Sequence, residues 1–221
     1  MNEIKNKIFS FNEEVNTLLE RIIKSKSFAN GYIFCGAEGV GKKKAAFQFI
    51  KEIFKQSSFN DRIEDNINNH PDFLIIEPIS LLETKTSKSG SEIIKVAQIR
   101  NIKSFLGQKS ITSEKKIVLI TDAHLLNEAA SNCLLKTLEE PSNGIFILLT
   151  TKLNILLDTI ISRCQMVRFR SLSAKLITSI SKEYLDPLKY SINRELNVHD
   201  LINSANGSPG QLLKNIEIWN E

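Results

Sequence analysis

Apolar residues recur along this chain in two rhythms that alternate with each other. Over residues 11–26 (FNEEVNTLLERIIKSK), Val15, Leu18, Leu19, Ile22 and Ile23 fall at helical spacing and predict an amphipathic helix. Tyr32 to Cys35 is a compact apolar run suited to a buried strand, and from Lys42 the positions Ala45, Ala46, Phe49, Ile50 and Phe54 return to helical period. Residues 72–77 (DFLIIE) are a second strand-type run, and Val96, Ile99, Ile102 and Leu106 predict a helix that Gly107 stops. Ile117 to Ile120 form the continuous apolar run of a central parallel strand. The next helix carries Ala130, Leu134, Leu135 and Leu138 and is barred from continuing by Pro141. Ile145 to Leu149 and Gln165 to Phe169 complete the strands, while residues 56–71 and 81–92 are polar and read as surface excursions.

Strands alternating with helices predict a parallel, layered α/β domain over residues 1–171. From Ser173 the pattern is helical only, with Gly207-Ser208-Pro209-Gly210 as a break, so residues 172–221 are expected to form a small all-helical domain. Composition changes little in this picture. A chain of 221 residues with 42% hydrophobic and 24% charged residues is that of an ordinary globular protein. The formal charge of +4 permits nucleic-acid contact without requiring it. No apolar run approaches the ~20 residues of a membrane span. The first residues carry acids and lack the apolar core of a secretion signal, so no membrane association and a cytoplasmic location are expected. Cys35, Cys133 and Cys164 are scattered, and His70 and His124 have no third ligand at metal-like spacing, so no metal site is expected.

The chemistry concentrates after the first strand. Gly36, Gly39 and Gly41 space a loop between strand and helix, and Lys42 opens the helix, as in a phosphate-binding loop of the form G-x-x-x-x-G-K. The motif continues with Ser or Thr, whose hydroxyl ligates magnesium; here the position is Lys43. Asp122 follows the carboxyl end of a strand, where open α/β sheets place ligand chemistry. Read locally, it either caps the next helix or keeps some role as a carboxylate.

Further motifs follow in a fixed order: HPD at 70–72, TDAH at 121–124, LLKTLEEP at 134–141, SRC at 162–164 and GSPG at 207–210. With the loop, this series resembles the AAA+ clamp-loader subunits of bacterial DNA polymerase III, the delta-prime type most of all, from about Phe9 to Leu213. The resemblance implies a P-loop NTPase-type parallel sheet followed by a helical lid. It also implies a pentameric loader that opens the sliding clamp and places it on primed DNA, within a DNA-directed DNA polymerase holoenzyme.

In ATP-hydrolysing members of that family an aspartate–glutamate pair supports magnesium and activates water; the matching residues here are Thr121 and Asp122. An arginine of the last motif reaches the triphosphate, and Gly210 takes its place. Lys43, Thr121 and Gly210 together imply a subunit without ATP hydrolysis or independent catalysis. The resemblance implies that Arg163 of SRC reaches the ATP of a neighbouring subunit as an arginine finger. Read without the family, Arg163 is a surface arginine in an ordinary salt bridge.

No cofactor is expected beyond weak anion or nucleotide binding at the loop. The four-cysteine zinc insertion of many delta-prime relatives has no cysteine in the matching stretch, 51–70. Implied partners are subunits of the tau/gamma and delta types and, through the complex, the clamp and primer–template DNA. The family's C-terminal collar domain is expected to be absent. The alternatives are an active ATPase of the tau/gamma type using Asp122, and a stand-alone DNA-binding module with steeply salt-dependent binding.

Overall fold

A computed structural model of the chain describes residues 12–57, 67–80, 92–140, 144–178 and 203–220. Helix α1 (Glu13–Ser25) starts at Asn12, whose side chain accepts a hydrogen bond from the Val15 amide, and ends at Lys26 in a left-handed conformation. Strand β1 (Gly31–Cys35) is buried throughout and leads through the glycine loop into α2 (Lys42–Ser57). Strands β2 (Phe73–Ile76), β5 (Lys116–Ile120), β6 (Gly144–Thr150) and β7 (Gln165–Arg168) complete a five-stranded sheet in the order β2-β5-β6-β1-β7. Every pairing is parallel. Strands β3 (Ile79–Ser80) and β4 (Glu92–Ile93) form a separate antiparallel pair.

The continuous apolar runs are explained by coverage on both faces, because each strand then buries odd and even positions alike. Tyr32, Phe34, Ile117, Leu119, Ile145 and Ile147 meet α1 and α2 on one side. Ile33, Val118, Ile120, Phe146 and Leu148 meet α3 (Val96–Gly107), α4 (Glu128–Glu139) and α5 (Asp158–Ile161) on the other. The α/β expectation is met, with Gly107 as the last residue of α3 rather than a residue beyond it. In the C-terminal part, residues 174–178 are helical and Pro209–Asn220 form α6. The helical expectation across 179–202 lies outside the described residues, as do those on 58–66, 81–91 and Pro141.

Two charged residues at strand ends, Asp72 and Lys116, are buried, which the apolar pattern alone did not predict. The excursion expected over 56–71 begins inside α2, and its far end is packed: Ile67 is buried and the His70 ring stacks on Phe54 at 3.9 Å. Asp72, at 0% exposure, accepts hydrogen bonds from the amides of Ile111, Thr112 and Ser113 at 2.8–2.9 Å. Its Oδ2 also lies 3.0 Å from the hydroxyl oxygens of Thr112 and Ser113. Lys116 is buried as well; its Nζ donates to the Phe105 carbonyl at 2.7 Å and lies 4.4 Å from that ring's centre.

Candidate functional site

The sheet order puts β1 between β6 and β7, so the chain leaves β1 at the point where the connections reverse direction. A crevice opens there at the carboxyl ends of the strands. The glycine loop fills its rim. The Gly36 amide donates to the Thr150 carbonyl at 3.3 Å, and Gly39 and Gly41 take φ of 71° and 96°, which a side chain would disfavour. Lys42 is buried, and its ammonium donates to the carbonyls of Gly36 at 2.8 Å and Ala37 at 2.5 Å. Burial pushes the Lys42 pKa down, while Asp122 and Glu38 act to hold it up. The resulting cavity, about 620 Å³, is lined by the loop with Glu77, Thr121, Asp122, His124 and Thr151.

Among the described residues lining this cavity, the positions of the phosphate-binding pattern carry other chemistry. Lys43 pairs with Glu77 at 3.0 Å, which places an ammonium on the α2 residue where a magnesium-ligating hydroxyl would stand. Thr121 is buried, and its hydroxyl is turned to the Ile76 carbonyl at 3.4 Å. Asp122 has a left-handed backbone (φ 49°) and makes no capping hydrogen bond from its side chain; Asn127 caps α4 instead, accepting from the Ala130 amide at 2.8 Å. His124 Nε2 lies 3.4 Å from the Thr151 hydroxyl, and its buried Nδ1 has no partner among the described residues. Burial lowers the His124 pKa against the pull of Asp122, favouring a neutral ring. Among the described residues no cluster of three or more His, Cys, Asp or Glu is arranged to hold a metal ion.

The three departures from the phosphate-binding pattern do not all meet in one place. Lys43 and Thr121 line the cavity, but Gly210 does not. Instead Gly210, in the first turn of α6, donates its amide to the Gly39 carbonyl at 2.9 Å. A Cβ at Gly210 would stand 2.9 Å from the Gly39 Cα and 3.0 Å from its carbonyl oxygen. Any side chain here must push α6 off the loop. Lys214 reinforces the contact through an ion pair to Glu38 at 3.2 Å. Gly210→Ala is therefore expected to destabilise the fold by about 1–3 kcal/mol, read as a lower urea midpoint with an unchanged slope.

Arg163 lies away from this cavity, between α5 and β7. Ile160 of α5 is fully buried, and the Cys164 thiol packs against Gly31, where a Cβ would come within 2.6 Å of the sulfur. Burial raises the Cys164 pKa to about 11, so this thiol is a packing group. With its neighbours anchored, the Arg163 side chain reaches outward. One terminal nitrogen donates to the Thr159 carbonyl at 2.9 Å, and the other contacts the Glu139 carboxylate at 2.6 Å. Glu139, the last residue of α4, does not stand out in the sequence; its place in LLKTLEEP marks the motif but not the contact.

Comparison with known proteins agrees with the motif order. The family model described as DNA polymerase III, delta subunit, matches residues 11–173. The DNA polymerase III subunit delta' of Bacillus subtilis is 32% identical over 185 residues, an alignment covering 80% of this chain and 51% of that protein. The subunit tau of the same organism is 30% identical over 183 residues, covering 79% of this chain and 30% of that protein. The chain thus spans about half the length of the first relative and less of the second. Among solved structures, a DNA polymerase III gamma subunit-related protein of Thermotoga maritima superposes with TM-score 0.56 at 21% identity, covering 90% of this chain and 69% of that one. The RuvB Holliday junction branch migration motor of Thermotoga maritima superposes with TM-score 0.59 at 16% identity, covering 93% of this chain and 60% of that one. At these identities the superpositions speak to the fold alone, which is that of AAA+ proteins.

Proposed function

The chain belongs to the DNA polymerase III delta-subunit family and is delta-prime-like, and from that premise we propose that it is a clamp-loader subunit that hydrolyses no ATP itself. In this reading it works in the cytoplasm beside subunits of the tau/gamma and delta types and helps load the sliding clamp onto primed DNA. The observation that carries the proposal is the ion pair of Lys43 with Glu77 beside the buried Thr121. A magnesium ion bound to a triphosphate here would face an ammonium on one side and a neutral hydroxyl, already turned to a carbonyl, on the other. Both substitutions weaken the same metal, and metal and charge stabilisation supply most of the rate in phosphoryl transfer.

Arg163 is assigned the role of a finger supplied in trans to the neighbour's ATP. Three features support it: its place in SRC, its half-exposed guanidinium, and the fixed backbone on either side. No cofactor of its own, neither nucleotide nor zinc, belongs to this reading.

The isolated chain is accordingly expected to show no magnesium-dependent ATP turnover and no micromolar affinity for a labelled ATP analogue. The double substitution Lys43→Thr with Thr121→Asp is expected to leave turnover undetectable, since Gly210 and Asp122 remain as they are. Micromolar, magnesium-dependent binding that Lys42→Ala abolishes would instead support an active tau/gamma-like ATPase.

A further inference from the structure

We propose that Glu139 restrains Arg163, holding the guanidinium in a parked position that the neighbour's triphosphate must overcome; this rests on the finger reading above. Three observations converge. The Arg163–Glu139 contact is short, 2.6 Å, and both terminal nitrogens of the guanidinium are engaged, one by this carboxylate and one by the Thr159 carbonyl. A phosphate oxygen approaching that edge meets an arginine whose charge is already balanced by a carboxylate in contact with it. Binding a second anion there brings two like charges together, so engagement requires the pair to open.

The second observation is where Glu139 stands. It is the last residue of α4 and is followed by Glu140, so two acids occupy the end of a helix whose free carbonyls already make it negative. Each acid takes one cation from another element: Lys103 of α3 pairs with Glu140 at 2.6 Å, and Arg163 pairs with Glu139. An unpaired Glu139 would be disfavoured in this field, which draws Arg163 toward the end of α4 more strongly than an isolated surface pair would.

The third is that Arg163 has little backbone freedom with which to choose a different resting place. Buried Ile160 precedes it, and Cys164 follows it against Gly31. What remains free is the side chain, and Glu139 selects its position.

The test uses the assembled loader, with ATP turnover confined to the neighbour's site by inactivating the phosphate-loop lysines of the other ATPase subunits. Glu139→Gln keeps the size of the side chain and removes the charge. It is expected to raise kcat at that site about 2- to 5-fold, the range that the strength of a half-exposed pair allows. In an Arg163→Ala background the same substitution is expected to change nothing. Glu140→Gln, which removes the neighbouring charge but leaves the Arg163 contact in place, is expected to leave kcat as it was. Unchanged or lowered turnover in Glu139→Gln overturns the restraint, as does an equal rise in Glu140→Gln or a rise that persists without Arg163. If Arg163→Ala by itself has no effect, the finger reading fails first and the restraint falls with it.

Discussion

Replacing Arg163 with alanine is expected to cut ATP turnover at the neighbouring subunit's site by about 10³-fold or more, the scale of an arginine finger in phosphoryl transfer. On the proposed finger reading the effect belongs in kcat, because the guanidinium would meet charge that develops as the terminal phosphoryl group leaves, and binding of ground-state ATP should change much less. Arg163→Lys should recover little: an ammonium is a point charge and cannot fork onto two phosphate oxygens. The fold should be indifferent, since Arg163 contributes one half-exposed ion pair and one hydrogen bond to an exposed carbonyl. DNA-stimulated turnover of a reconstituted loader, with its other ATP sites silenced, checks this directly. Wild-type turnover with Arg163→Ala would make the residue a surface arginine and no more.

The largest stability effect is expected at Asp72. Its carboxylate is buried and gathers the amides of Ile111, Thr112 and Ser113, pinning the loop that leads from α3 into β5. Its own amide donates to His70 Nδ1 at 3.2 Å, and His70 Nε2 lies 3.1 Å from the Thr112 hydroxyl, so the ring braces the same loop. Asp72→Ala leaves three amides without their acceptor; the orphaned buried Ser113 amide costs about 1–3 kcal/mol, and the part-buried Ile111 and Thr112 amides and the two hydroxyl contacts add less each where water can reach them. A loss of about 3–5 kcal/mol follows, or about 10 °C in Tm for a chain of this size.

The same site predicts a pH dependence. Burial pushes the Asp72 pKa up, but the amides of Thr112, Ile111 and Ser113 and the Ser113 hydroxyl outweigh it and set the pKa below the ordinary carboxylate range. The unfolded chain's aspartate takes up its proton near a pH of about 3.9, before the folded one does. The stabilisation is therefore complete above that pH and is lost as the pH falls through the folded pKa. Urea unfolding of wild type and Asp72→Ala at neutral pH and near pH 3 should show the difference between them shrinking in acid. A difference that stays constant with pH would place the effect in packing instead.

Both predictions concern residues whose types are visible in the chain but whose partners are not. HPD and SRC stand out as motifs, yet Asp72 finds its donors about forty residues ahead, and Arg163 finds Glu139 on the preceding long helix. Gly210 is legible as the residue standing in an arginine's place; that it touches Gly39 rather than lining the cavity is not.

Local pattern was enough to dictate the strands of the five-stranded sheet, its flanking long helices and their order, though not the short β3–β4 pair, because a strand's apolar run and a helix's period depend on neighbours within a few residues, and both faces of the sheet needed apolar cover. Motifs kept in series across most of the chain were likewise enough to assign the family. Which charges meet is a different matter. Lys43 turns to Glu77, Arg163 to Glu139 and Asp72 to the loop before β5 only once the sheet has closed the intervening segments. Such pairs depend on distance in space, which no local period encodes. They set the character of the glycine loop and of Arg163: a crevice whose Lys42, Lys43 and Thr121 are already partnered, and a half-exposed arginine paired with Glu139 beside packed neighbours.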